Sequence, residues 1–113
     1  SHLQIIADKA MIEQILINLI RNAIDATQNC SEPSIELSAG INAEGKTYIQ
    51  VSDNGTGIPA DVQERIFIPF FTTKPTGSGI GLSISRQIMH MHKGSLTVIS
   101  EAGQGSRFLL TFP

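Results

Sequence analysis

The chain has 113 residues, enough for one small domain with a single hydrophobic core and too few for two. A formal charge of -2 gives no broad electrostatic reason to expect nucleic acid or an anionic membrane as a partner, and Cys30, the single cysteine, excludes an internal disulfide and a Cys-x-x-Cys metal site. The most apolar stretch, Ile12 to Ile24, is broken by Glu13, Gln14, Asn18, Arg21 and Asn22, so it is not a continuous membrane span; there is no signal peptide, and a reducing cytoplasmic setting fits best.

In chain order, Leu3 to Ala7 reads as a short strand, and Asp8 is placed to N-cap a helix from about Lys9 to Gln28. Ile12, Ile15, Leu16, Leu19, Ile20, Ala23 and Ile24 recur at helical steps and define its core face, while Gln14, Asn18, Asn22, Asp25 and Asn29 form a second, polar stripe. Ser34 to Ile41 and Lys46 to Asp53 alternate as two strands of a hairpin about the turn Asn42-Ala43-Glu44-Gly45. The period of two puts Ile35, Leu37, Ala39 and Ile41 on one side of the first strand, and Ile49, Val51 and Asp53 on one face of the second, so a carboxylate should point inward at that strand's end.

Pro59 starts a short helix over Ala60 to Ile66, and Phe67 to Thr73 has the content of a packed irregular segment. From Ile80 another helix recurs through Ile84, Ile88 and Met91 and ends at Gly94 as its C′ residue. Ser95 to Ser100 and Ser106 to Phe112 alternate again around Gly103-Gln104-Gly105. This order of elements predicts an α/β two-layer sandwich with helices on one face of a mixed sheet.

Several residues carry candidate chemistry. Two asparagines one turn apart in an apolar helix are either part of a solvated face or hard, neutral oxygen ligands suited to Mg²⁺ that already carries phosphate oxygens. Asp53 either shapes the turn Asp53-Asn54-Gly55 or, as an inward acceptor, meets the exocyclic amine of adenine, where guanine presents a carbonyl. Gly77, Gly79 and Gly81 lead into a helix, where backbone N–H groups and the helix dipole favour phosphate, although neither the Walker A spacing nor a preceding strand is present. Lys74 in the segment Thr72 to Gly79 is either solvated or within reach of a terminal phosphate, and that segment has the composition of a lid. His90 and His92, two residues apart, do not share a helix face and do not make a helical metal pair. Met89 and Met91 read as packing residues.

NLIRNAIDA, DNGTG, ERIFIPFFTTK, GSGIGLSIS and GQGSRFLLTFP follow one another over nearly the whole chain. In that order they resemble the N, first G, F and second G boxes and the closing strand of the catalytic and ATP-binding domain of sensor histidine kinases, in the superfamily that includes DNA gyrase, Hsp90 and MutL. The resemblance implies a Bergerat-type two-layer sandwich, a mixed, mostly antiparallel sheet of about five strands with helices on one face, forming a single domain over residues 1–113 of a longer sensor kinase. It implies ATP and Mg²⁺ as cofactors, a helical dimerisation and phosphoacceptor domain as partner and, indirectly, a response regulator, with no nucleic acid and no direct membrane contact.

Position by position, Asn22 looks like the magnesium ligand, with Asn18 as a second polar contact and Asn18, Asn22 and Lys74 as the catalytic set. ATP binding falls to Asn22, Asp53, Gly55, Gly57, Ile58, Thr72, Thr73, Lys74, Gly77, Gly79, Ile80, Gly81 and Leu82. Many relatives carry Lys where this chain has Asp25. The hydrolysing branch carries a Glu general base where this chain has Asn18, and an Asn accepts no proton at neutral pH, which favours phosphoryl transfer over hydrolysis. A gyrase- or MutL-like ATPase fragment and a non-catalytic nucleotide-binding module are the other readings.

Overall fold

The computed structural model describes residues 7–71 and 80–113. Its elements are α1 (Lys9–Ala26), β1 (Ile35–Ile41), β2 (Thr47–Asp53), α2 (Ala60–Gln63), α3 (Gly81–Met91), β3 (Ser95–Ser100) and β4 (Ser106–Thr111). The strand expected over Leu3 to Ala7 lies, Ala7 aside, outside the described residues, and so do Thr72, Thr73, Lys74, Gly77 and Gly79.

The Asp8 carboxylate accepts the Met11 N–H at 3.1 Å, the N-cap bond its position predicts, and satisfies one orphan donor of α1. Thr27 ends the helix two residues earlier than expected by turning its hydroxyl back to the Ala23 carbonyl at 2.9 Å. The β1–β2 turn is organised by the Asn42 side chain, whose oxygen accepts the N–H groups of Glu44 and Lys46, with Gly45 at φ +78°. The two hairpins join through β2 and β4, giving an antiparallel sheet in the order β1-β2-β4-β3. Among the described residues the sheet has four strands, one fewer than the resemblance implies, and no parallel pair.

One face of the sheet carries the core. Val51 and Phe108 stand side by side in it, as do Ile49, Leu110 and Leu96 one row along. Against them pack Ile12, Ile15, Leu19 and Ala23 of α1 with Ile88 and Met89 of α3. Burial of such side chains, about 1.5–3 kcal/mol each, is the main term holding the two layers together.

Five details depart from the sequence reading. In β1 the inward set is poorly covered, with Ile35, Leu37 and Ile41 between 38 % and 61 % exposed, because β1 is the sheet's edge and α1 sits mainly over β2. In α1, Ile24 lies past the core face and stays exposed. In α3 the buried residues are Ser85, Ile88 and Met89, leaving Ile84 and Met91 exposed, so the core stripe is rotated from the one the isoleucines suggest. The left-handed residue after α3 is Lys93, at φ 60°, and Gly94 follows it. The Lys93 and Gly94 N–H groups bond to the His90 and Met89 carbonyls as a Schellman motif, and Gly94 is glycine because a Cβ there would collide with the Thr111 carbonyl. The short helix α2 stops at Gln63, after which turns with three-residue closure bring Ile66 and Phe67 against the core.

Candidate nucleotide site

Asp53 ends β2 on the helix-facing side of the sheet, level with Ser106 of β4 and Ser100 of β3. Its Oδ1 accepts the Gly55 N–H at 2.8 Å, so Asp53 does shape the turn. That bond does not exhaust the carboxylate, which has lone pairs for further donors. Burial raises its pKa above the ordinary 3.8, and the backbone N–H groups of Gly55 and Ser106 pull it partly back. The strand's period thus places a desolvated acceptor at the open end of the sheet, suited to a neutral N–H donor.

The glycines around it are needed for packing. A Cβ on Gly55 would strike the Ala26 carbonyl at the end of α1, and one on Gly57, already at φ +71°, would strike the Glu101 carbonyl. The Thr56 N–H bonds the same Ala26 carbonyl at 3.2 Å and so fixes the loop to α1.

Behind the loop lies a polar cluster that the sequence reading did not single out. The Ser100 hydroxyl accepts the Ile58 N–H and donates to the Gly105 carbonyl, both at 2.8 Å, and lies 2.9 Å from the Ser106 hydroxyl. Gln63 donates to the Ile58 and Ser100 carbonyls at 2.7 Å. Ile58 is therefore held through both its backbone groups. A visible signal was the pair of serines at the two strand ends flanking Gly103-Gln104-Gly105.

Asn18 lies where α1 meets the first turn of α3. Its Nδ2 donates to the Ser85 hydroxyl at 3.2 Å and to the Gly81 carbonyl at 3.4 Å, while Ser85 Oγ donates to the same carbonyl at 2.8 Å. Asn22 is half-buried one turn further along the same stripe, and Asp25 is exposed. Ile80 is the residue preceding α3, and Leu82 packs against the core. Ile80, the N-cap residue of α3, makes no side-chain cap bond. A Cβ on Gly81 would meet the Asn18 amide at 3.6 to 3.8 Å, ordinary contact, so Gly81 is not sterically required as Gly55 and Gly57 are.

His92 does not share this site. Its Nδ1 meets the Ile88 carbonyl at 2.9 Å and its Nε2 accepts the Asp8 N–H at 3.0 Å, tying the end of α3 to the start of α1; His90 is exposed. Among the described residues no group of three or more His, Cys, Asp or Glu is placed to hold a metal, and no helix is long and apolar enough to cross a membrane.

The family model described as histidine kinase-, DNA gyrase B- and HSP90-like ATPase matches residues 7–113. The sensor protein FixL of Bradyrhizobium diazoefficiens is 39% identical over 109 residues, covering 96% of this chain and 22% of FixL. The signal transduction histidine-protein kinase AtoS of Escherichia coli is 37% identical over 107 residues, covering 95% of this chain and 17% of AtoS. The chain thus spans about a fifth of the length of these curated relatives. Among solved structures, the nucleotide-free catalytic domain of the histidine kinase ThkA superposes with a TM-score of 0.78 at 38% identity, over 95% of this chain and 68% of that one. Full-length ShkA in complex with AMPPNP gives 0.83 at 33% identity, over 95% and 22%. With its fold, its ordered boxes and these relatives in agreement, the chain belongs to the histidine kinase-, DNA gyrase B- and HSP90-like ATPase family, on the side of the histidine kinase catalytic domains.

Proposed function

We propose that this domain binds Mg-ATP and donates the γ-phosphoryl group to a histidine on a separate helical dimerisation domain of a longer sensor kinase, which then passes it to a response regulator. The parent's catalytic domain is then one unit spanning residues 1–113, working in the cytoplasm whether or not the parent is membrane-anchored.

The observation that carries transfer over hydrolysis is Asn18. At the position where a hydrolase needs a carboxylate base, this side chain acts as a hydrogen-bond donor, with its amide nitrogen turned to the Gly81 carbonyl and the Ser85 hydroxyl. A carbonyl oxygen can only accept, so a carboxylate here would face it unfavourably. The seam is built for an amide. No water-activating base stands on this stripe of α1 at that position, and the acceptor must come from elsewhere.

In this reading Asp53 accepts the adenine amine, Gly55 and Gly57 shape the floor beside it, and Ile58, Ile80 and Leu82 supply apolar contacts. Thr72, Thr73, Lys74, Gly77, Gly79 and Gly81 take the phosphates. Asn22 offers magnesium a neutral oxygen, which fits an ion whose other ligands are phosphate oxygens and water, because a carboxylate there would repel the triphosphate. Magnesium when bound would neutralise phosphate charge. The chain's own work is positioning. That the related full-length ShkA is in complex with AMPPNP supports nucleotide binding as this family's work.

The test is γ-labelled ATP given to the chain alone and then with the parent's helical domain. We expect no appreciable hydrolysis and no acid-labile label on the chain alone, then label on the added domain. Rapid phosphate release would favour the gyrase-like reading. Nucleotide binding with no transfer to the matched domain would favour a regulatory module.

A further inference from the structure

We propose that Ser85 is a positioning residue for the nucleotide–metal site: its buried hydroxyl fixes which way round the Asn18 amide sits and thereby holds α1 and the start of α3 in register. Ser85 is fully buried where α3 meets α1, two helices whose buried contributions to the core are otherwise apolar, Ile15 and Leu19 from α1 and Ile88 and Met89 from α3 among them. A serine in that setting calls for a use beyond filling space, since alanine or valine would fill it without a polar group to satisfy.

Its bonding pattern is directional. The Gly81 carbonyl has no hydrogen to give, so both atoms aimed at it must donate: Asn18 Nδ2 at 3.4 Å and Ser85 Oγ at 2.8 Å. With its one proton committed to that carbonyl, Ser85 Oγ can only accept from Asn18, and the 3.2 Å contact must again come from Nδ2. The two bonds together exclude the flipped amide. They leave Oδ1 as the amide atom that takes no part in either bond, on the stripe that continues to Asn22.

That orientation matters chemically. An Oδ1 presented to the metal would accept from magnesium-bound water, whereas an Nδ2 presented there would point two donors at that water's hydrogens. Ser85 therefore selects the face that Asn18 shows to the metal, without touching metal or nucleotide itself. The site role rests on the Mg-ATP reading above; the hold of Ser85 on Asn18 does not.

An isosteric pair separates hydroxyl from bulk: Ser85→Thr keeps the oxygen, which in a helix bonds the carbonyl four residues back, and Ser85→Val replaces it with a methyl of the same shape. In the nucleotide-free domain, the side-chain amide proton signals of Asn18 should stay near their wild-type positions in Ser85→Thr and move in Ser85→Val. By calorimetry, the gain in ATP affinity on adding Mg²⁺ should be kept within about twofold in Ser85→Thr and fall roughly fivefold in Ser85→Val, an effect the size of one hydrogen bond. Binding measured without metal should be the same in both. Equal Asn18 signals in the two variants would overturn the proposal, and so would an equal Mg²⁺ gain. If wild type shows no Mg-ATP binding, the nucleotide reading fails, while the amide signals still decide whether Ser85 holds Asn18. Should either variant not fold, Ser85→Ala compared with wild type reads the same two quantities.

Discussion

Around Asp53, three strand ends and the loop from Asn54 to Ile58 lock together through backbone groups and the Ser100, Ser106 and Gln63 side chains, whereas at the α1–α3 seam two helices are bridged by the side chains of Asn18 and Ser85. The first region is fixed by sheet register and close backbone approach, which tolerate little change. The second shares the apolar core of α1 and α3, and its polar contact depends on the rotamers of two residues. On the function proposed above, base recognition would be built into the fold itself, while metal and phosphate contacts would depend on how the two helices are set against each other.

The largest test of this contrast compares two glycines. Gly57→Ala places a Cβ on a left-handed residue and against the Glu101 carbonyl, with strain of about 1–2 kcal/mol from the backbone and about 1–3 kcal/mol from overpacking. Gly81→Ala adds only an ordinary contact with Asn18 and gains helix propensity, up to about 1 kcal/mol. Urea unfolding should therefore show a strong loss for the first and none for the second. Equal losses would mean that the adenine end is no more constrained than the seam.

Next in size is Asp53. Burial raises its pKa above 3.8, so the folded domain binds the proton more tightly than the unfolded chain. Apo stability contributed by this group is then full below the unfolded value and declines as pH rises from about there through the folded pKa. At neutral pH the empty site carries that penalty. Asp53→Asn keeps an oxygen for the Gly55 N–H and removes the buried charge, so thermal unfolding at neutral pH should show equal or greater stability, with a flatter acid-side profile. ATP affinity should fall by on the order of 1–3 kcal/mol, and the preference for ATP over GTP should shrink, since an amide can present a donor to guanine's carbonyl. In wild type, affinity should weaken as pH falls through the raised pKa. A variant that is less stable and still selects ATP would reverse the assignment.

The difference between the two regions also explains what was legible in the sequence. The helix α1, the two hairpins and the inward direction of Asp53 follow from local periodicity and capping, and all of them stand in the structure. What period alone does not carry is how the elements sit on one another. Leu37 alternates correctly yet stays exposed because β1 is an edge, and Ile84 and Met91 yield their expected places to Ser85 and Met89 because α3 is rolled toward Asn18. The Ser100–Ser106 contact requires the β3–β4 register, and the Gln63 bonds require the loop to fold back from α2. At Lys93, a glycine preference pointed one residue too far, since packing against β4 and not a left-handed backbone is what Gly94 answers to.

The smallest effect separates charge from coordination at Asn22. If its contribution is one neutral oxygen to a magnesium ion otherwise held by phosphate and water, Asn22→Ala should leave metal-free ADP and ATP binding nearly unchanged and remove most of the Mg²⁺ gain, about 1 kcal/mol. Asn22→Asp then asks whether neutrality matters. A carboxylate is a stronger magnesium ligand, so the Mg²⁺ gain should persist or grow, yet metal-free ATP binding should weaken through repulsion of the triphosphate, and more at low salt than at high. Calorimetry with and without Mg²⁺ at two ionic strengths reads both quantities. Because the Asn18 amide nitrogen is held by the Gly81 carbonyl and the Ser85 hydroxyl, the Ala variant should also leave the Asn18 amide signals in place, which keeps the metal contact distinct from the Ser85 seam. An Asn22→Ala domain with the full wild-type Mg²⁺ gain would move the ion away from α1 altogether, and the seam would then serve the fold alone.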